Sequence, residues 1–285
     1  MFFPSQNKNL LYCCYAITAK ICPVSIFAKN TNSLLPENPI GKPFFELSEV
    51  DSTNNYAMAQ VQAQMAVHGT TWFTHYQNAG KGQRGKSWNG APGQNILQSI
   101  VIDPFPFSTD NQFIINAVVA LACFDFFDNY TKGETCIKWP NDIYWKDRKA
   151  GGILIENVLQ GNEWKFSIVG IGININQTLF PSDLQNPVSL KQITGKTYHT
   201  IGLARELCEC LESRWKQLHN NGQNDLLAEY QSHLYKLHES ATFKKDDVVF
   251  TAIVAGVNNR GELLLNTGNE TVAYAKIEWV LFSLK

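Results

Sequence analysis

Apolar positions from Phe44 onward fall into short blocks whose spacing alternates between a period of two and one near 3.6. Phe44-Phe45-Glu46-Leu47 reads as a strand. Asp51-Ser52-Thr53-Asn54 then offers several helix N-caps, and the pattern predicts a helix to about Ala66 with Tyr56, Ala59, Ala63 and Val67 on one face. Thr70 to Gln77 and Ile96 to Ile102 read as strands. A helix capped by Asp110 runs to about Tyr130, with Phe113, Ile114, Ala117, Val118, Leu121 and Phe124 as its buried stripe. Strands are predicted near 135–145, 151–159 and 163–175, the last two joined by the tight turn Gln160-Gly161-Asn162. Helices follow near 200–219 and 223–235. Residues 242–285 read as short strands separated by Asn258-Asn259-Arg260-Gly261 and Thr267-Gly268-Asn269, the pattern of a small β-barrel. The order implies an α+β domain over 43–238 and a β module over 239–285. Residues 1–42 show no clean period and read as a poorly ordered extension rather than a targeting peptide.

Composition narrows the class. Of 285 residues, 44% are apolar and 17% charged, which excludes a disordered chain and leaves material for a sizeable core. The net charge of −1 speaks against a general nucleic-acid binder. No run of 18 apolar residues is uninterrupted, so no membrane-spanning helix is expected. The seven cysteines include no C-x-x-C pair and no histidine at zinc spacing, and they read as reduced thiols in a cytoplasmic protein.

Gly80-Lys81-Gly82-Gln83-Arg84-Gly85-Lys86-Ser87 satisfies both the phosphate-loop pattern G-x-x-x-x-G-K-S and the dinucleotide pattern G-x-G-x-x-G. Both motifs need a helix beginning at the glycines, whose amides hold phosphate. Here Trp88-Asn89-Gly90-Ala91-Pro92-Gly93 follows, which will not propagate a helix. What remains is a glycine loop with three cations, Lys81, Arg84 and Lys86. It is either a wrap for an anion or a solvated basic turn.

Three further clusters stand out. Lys138-Trp139-Pro140-Asn141-Asp142 joins two strand-like segments, and its polar side chains suit nucleotide phosphates and a hard cation, or else an internal Lys–Asp pair. Lys149-Ala150-Gly151-Gly152 enters an apolar strand through two glycines, which admit a ligand or another backbone closely. Gly170-Ile171-Gly172-Ile173-Asn174 alternates glycine with isoleucine and then places an amide, which either hydrogen-bonds in the interior or ends the strand.

In this order, D-S-T-N (51–54), Q-N-A-G-K-G-Q-R-G-K-S-W (77–88), K-W-P-N-D-I (138–143), K-A-G-G-I-L-I-E (149–156) and G-I-G-I-N (170–174) resemble the biotin protein ligases over about 43–285. The resemblance implies a catalytic domain of the class II aminoacyl-tRNA-synthetase and biotin-ligase type, followed by a small SH3-like β-barrel. It implies ATP-dependent attachment of biotin, through biotinyl-5′-AMP, to a lysine of a biotin carboxyl carrier protein domain of acetyl-CoA carboxylase or a related carboxylase. The family's biotin contacts fall on Ser52, Thr53, Asn54, Gln77, Gly152 and Lys149. Its closing loop, which also contacts biotin as it folds over biotin and the adenylate, falls on Lys81, Gly82 and Gln83, where the family often has arginine at the first and third positions. The ATP side falls on Lys81, Gln83, Arg84, Lys86, Trp88, Lys138, Asn141 and Asn174, with Asp142 at the Mg²⁺. Lys149, Lys138, Asp142 and Arg84 take the catalytic roles. A lipoate or octanoyl ligase of related fold is the alternative; it shares a glycine-rich anion loop and a lysine but not the K-W-P-N-D and K-A-G-G-I-L-I-E pair. The residues before 43 carry no helix-turn-helix pattern, so no nucleic-acid partner is expected, and the family admits a homodimer through its central sheet.

Overall fold

Strand β1 (Phe44–Leu47) pairs in parallel with β2 (Thr71–Thr74) in the computed structural model, which describes residues 36, 38–161 and 163–280. The expected extension therefore lies, for residues 1–35, outside the described residues, as does the turn residue at 162. Every other pairing in the sheet is antiparallel. It adds β3 (Asn95–Ile102), β4 (Thr135–Lys138), β5 (Asp142–Trp145), β6 (Arg148–Gln160) and β7 (Glu163–Asn174) in the order β1-β2-β3-β7-β6-β5-β4. The segment 135–145, which reads as one strand, is a hairpin folded at Trp139-Pro140-Asn141.

Both faces of this sheet are covered, so β3 is buried along its whole length instead of alternating between buried and exposed positions. Successive side chains of β3 still go to opposite faces. Ile96, Ile100 and Ile102 join the main core, whereas Val101 joins a smaller cluster with Ala57, Trp72 and Ile168. The main core is built by α2 (Gln112–Thr131), α4 (Thr200–Asn221) and α5 (Gln223–Ser232), and the smaller one by α1 (Thr53–Gln62). A short α3 (Leu190–Thr194), closed by a Ser189–Gln192 capping box, has no counterpart in the sequence reading.

Two helices depart from expectation. Helix α1 ends at Gln62, and its buried face is Thr53, Asn54, Ala57 and Val61. Ala59, Ala63 and Val67, assigned to the inner face, are exposed, because two polar residues take that face and are satisfied there by hydrogen bonds. Helix α2 is apolar on nearly every side, as a helix enclosed between a sheet and other helices must be. With its preceding turn (Thr109–Thr131) it is long and apolar enough to cross a membrane, yet 67% of its most apolar window is buried within the protein.

The C-terminal strands β8 (Ser240–Lys245), β9 (Val248–Val257), β10 (Leu263–Asn266), β11 (Thr271–Tyr274) and β12 (Glu278–Trp279) form one antiparallel sheet, ordered β11-β10-β9-β8-β12. That arrangement is consistent with an SH3-like module. Among the described residues no pairing joins β11 to β12, so the expected barrel is an open sheet here. Phe243, Val254, Leu263 and Leu265 continue the main core into this module.

Candidate active site

The two-residue period of the strands builds the site. On β3, Ser99 shares the α1 side with Val101; on β7 that side carries Gly170 and Gly172 next to Ile168. Register pairs Gly172 with Gly152, Gly170 with Leu154 and Ile168 with Glu156, so the same face of β6 presents Gly152, Leu154 and Glu156. Three glycines thus flatten the floor. A Cβ on Gly170 would lie 2.3 Å from Asn54 Oδ1, and one on Gly172 would lie 2.5 Å from the Trp88 ring. Over this floor opens a cleft of about 740 Å³.

One wall is a buried polar network at the start of α1. Ser52, Thr53 and Asn54 are each less than 5% exposed. Gln77 Oε1 accepts from the Thr53 backbone N–H (2.8 Å) and hydroxyl (3.1 Å). The Ser99 hydroxyl donates to Asn54 Oδ1 (2.6 Å) and stands 2.7 Å from Thr53 Oγ1. Asn54 Nδ2 donates to Glu156 Oε2 (2.7 Å) and Leu154 O (3.3 Å). Asn54 both donates and accepts within this network, and the bonds on either side of it fix the wall without a ligand.

The opposite wall is cationic. Asp142 pairs with Gly152 and Ile143 with Gly151, but Tyr144 pairs with Lys149, so Ala150 is the extra residue of a β-bulge. The bulge restores Lys149 to the cleft face while Ala150 turns into the core, the re-aiming such irregularities perform beside functional sites. Lys149 Nζ lies 2.8 Å from Asp142 Oδ1 and 5.7 Å from the centre of the Trp88 ring. Lys138, opposite Asp142 across the β4–β5 hairpin, is 9% exposed. Burial pushes its ammonium down to about 8, against the raising influence of Asp142. The hairpin tip is anchored by Trp139 Nε1 donating to Gly261 O (2.9 Å) and by the Tyr230 hydroxyl donating to Pro140 O (3.1 Å).

The glycine loop closes the third side. Only a three-residue 3₁₀ turn (Gln83–Gly85) occurs in it, followed by β3, so the helix that a phosphate loop or dinucleotide motif requires is absent. The loop is a narrow hairpin held by Gly82 N–H to Lys86 O (2.7 Å) and Trp88 N–H to Gly80 O (2.8 Å). Lys81, Arg84 and Lys86 are exposed on it, and Lys81 Nζ reaches Glu156 Oε1 at 3.8 Å.

All sixteen residues singled out from the sequence line this one cleft: Ser52, Thr53, Asn54 and Gln77 on the network wall, Lys81, Gly82, Gln83, Arg84, Lys86 and Trp88 on the loop, and Lys138, Asn141, Asp142, Lys149, Gly152 and Asn174 on the far side. Two of them act chiefly as braces. Asn141 Nδ2 donates to Ile153 O, and Asn174 Nδ2 donates to Val188 O (3.2 Å) and Lys149 O (3.5 Å), framing the entrance strand of Lys149. Sequence reasoning missed Ser99, Glu156, Tyr144 and Trp279. The first had a readable signal, a serine beside Gln98 in a strand whose other inner positions are apolar. Trp279 had none, because it arrives from the second sheet.

Residues 47–174 match the model of the Biotin/lipoate A/B protein ligase family. The chain is 28% identical over 219 residues to the Bifunctional ligase/repressor BirA of Bacillus subtilis, covering 75% of this chain and 67% of that one. It is 25% identical over 233 residues to the Biotin–[acetyl-CoA-carboxylase] ligase of Mycobacterium tuberculosis, covering 79% and 84%. The solved biotin protein ligase of Aquifex aeolicus, in complex with biotin and ATP, superposes with a TM-score of 0.71 over 85% of this chain and 99% of that one, at 24% identity, a likeness of fold. The chain is built around a domain of the biotin/lipoate A/B protein ligase family, spanning residues 47–174.

Proposed function

We propose that this chain is an ATP-dependent ligase that activates biotin as biotinyl-5′-AMP and transfers it to a lysine of a biotin carboxyl carrier domain, with 43–238 as its catalytic domain and 239–285 as a C-terminal module. The observation that carries the reading is the division of the cleft. A fixed amide and hydroxyl wall over a glycine floor faces two ammonium groups, Lys138 and Lys149. The first half suits an uncharged ureido ring on a largely apolar body, and the second suits anions. The names of the relatives support biotin over lipoate, although the family model spans both.

The chemistry follows from charge. A biotin carboxylate oxygen attacks the α-phosphorus of ATP and pyrophosphate leaves, so two anions must be brought together. Lys149 holds Asp142 at 2.8 Å and exchanges that partner for the incoming oxygens, while Lys138 neutralises the phosphate chain. The mixed anhydride is prone to hydrolysis, and closure of the loop 80–88 over it excludes water until a carrier lysine attacks the acyl carbon and AMP leaves. Among the described residues no three ligating side chains cluster to hold a metal. Asp142 alone suits a Mg²⁺ carried in on the nucleotide, since that ion takes one or two carboxylates and fills its shell with phosphate and water. Bound there, Mg²⁺ supplies neutralisation of the phosphates.

The partner is then a carboxylase carrier domain rather than a nucleic acid, in keeping with the net charge of −1. A cytoplasmic location is supported by four free cysteines among the described residues, two of them buried. The test is direct: the chain with ATP and Mg²⁺ is given biotin, lipoate or octanoate, and pyrophosphate and the acyl-AMP are measured. Biotin-dependent release with transfer to a carrier domain is expected. Release with lipoate or octanoate alone would assign the alternative, and release with none would overturn the reading.

A further inference from the structure

Lys138 is nine-tenths buried, yet no carboxylate lies within ion-pair distance of its ammonium among the described residues, and its three N–H donors have no protein acceptor there. What surrounds it is aromatic. Its Nζ sits 5.2 Å from the centre of the Tyr144 ring on β5 and 5.4 Å from that of Trp279 on β12. Trp279 is held in turn by Phe243 at 4.7 Å and Tyr235 at 5.7 Å, and Tyr235 meets Tyr144 at 5.3 Å. Pairing of Trp279 with Phe243 fixes this ring through the β8–β12 ladder of the C-terminal sheet. Ile277, Glu278 and Trp279 also line the cleft itself.

We infer that Trp279 is a positioning residue for the nucleotide half of the site: the C-terminal module completes the cleft by clamping the Lys138 ammonium between two aromatic faces, its donors left open to an anion. The inference rests on the ligase reading above and adds a role for a residue outside the family-matched segment 47–174. The physical ground is that an ammonium over ring faces is stabilised by the rings' quadrupoles while its N–H groups stay available, which a carboxylate partner would not allow. A leucine in place of Trp279 fills part of the space but offers no such face.

The test is a double-mutant cycle on the full chain. Trp279→Leu is expected to raise KM for ATP about two- to thirtyfold, the range of one cation–π contact, with the Kd for biotin in the absence of ATP unchanged. Trp279→Phe, which keeps a ring face, should fall between the two. In a Lys138→Met background the leucine substitution should add no more than about twofold. Equal effects of Trp279→Leu with and without Lys138, or equal loss in the phenylalanine and leucine variants, would overturn the inference and leave a packing role. A change in biotin affinity as large as that in KM would overturn it also. A wild-type chain that forms no adenylate would sink the ligase reading, and this inference with it; an active wild type with additive variants would sink the inference alone.

Discussion

Asn54 in the wall of the cleft and Lys81 in the loop above it touch the same carboxylate, Glu156, and share little else. Asn54 is 3% exposed, held by Ser99 on one side and Glu156 on the other at 2.6–2.7 Å, with Gly170 leaving it room. Lys81 is exposed and reaches Glu156 only at 3.8 Å. Buried, fully paired amides rigidify a wall and are costly to disturb, at about 1–3 kcal/mol for each partner left unsatisfied. An exposed ion pair of that length contributes about 0–1 kcal/mol. The wall proposed for the uncharged ring is therefore built before any ligand arrives, whereas the loop proposed to close over the anions is held weakly and is free to rearrange when they bind.

The comparison breaks most sharply at Lys149. Lys149→Ala should fold normally yet form biotinyl-5′-AMP more slowly by on the order of 10²–10³, as expected for one preorganised donor at the reacting centre. Lys149→Arg should recover only part of that rate, because a planar fork replaces a compact ammonium. Single-turnover kinetics reads both, and a wild-type rate in Lys149→Ala would reduce it to a surface lysine.

A control away from both regions is His68, 6% exposed and accepting a hydrogen bond from the Asp103 N–H at Nδ1 (3.0 Å). Burial lowers it from 6.5 to about 4. The unfolded chain thus takes up a proton near pH 6.5 that the folded one refuses until about pH 4. Stability present above pH 6.5 is lost on acidification through that window, by on the order of 3 kcal/mol. Denaturation of His68→Gln against wild type at pH 7 and pH 4.5 checks this; an unchanged pH slope in the variant would contradict it.

Asn54→Ala comes next. It strands both Ser99 and Glu156, and should cost about 1–3 kcal/mol in unfolding free energy together with weaker biotin binding. Calorimetry and urea denaturation measure the two; intact biotin affinity would remove the wall from recognition. The smallest effect belongs to Lys81→Ala, which should change unfolding by less than about 1 kcal/mol while weakening the loop's retention of the adenylate. A loss of stability as large as that of Asn54→Ala would erase the distinction between the two regions.

Much of this was legible because glycines and strand periodicity leave strong marks. The alternation Gly170-Ile171-Gly172 and the glycines entering β6 marked room for a close approach, and register turned Gly152, Gly170 and Gly172 into one floor. The false phosphate loop was rejected on the residues after it, 88–93, which form no helix and lead irregularly into β3. The inner face of α1 was not legible from apolar spacing, since Thr53 and Asn54 are buried for their hydrogen bonds and not their hydrophobicity. Lys149's orientation depends on a one-residue bulge, which no local pattern marks. Trp279 meets Lys138 only through the docking of the second sheet, a contact between residues 141 positions apart.

Hydrogen exchange of the wall and the loop in one experiment tests the central claim most directly. Amides of Thr53 and of the strand residues around Ser99 should be protected with or without ligand. Amides of 80–88 should exchange fast in the free chain and become protected once biotin and ATP are added. Fast exchange at the wall in the free chain, or loop protection indifferent to ligand, would contradict the account of a prebuilt wall beneath a ligand-ordered lid.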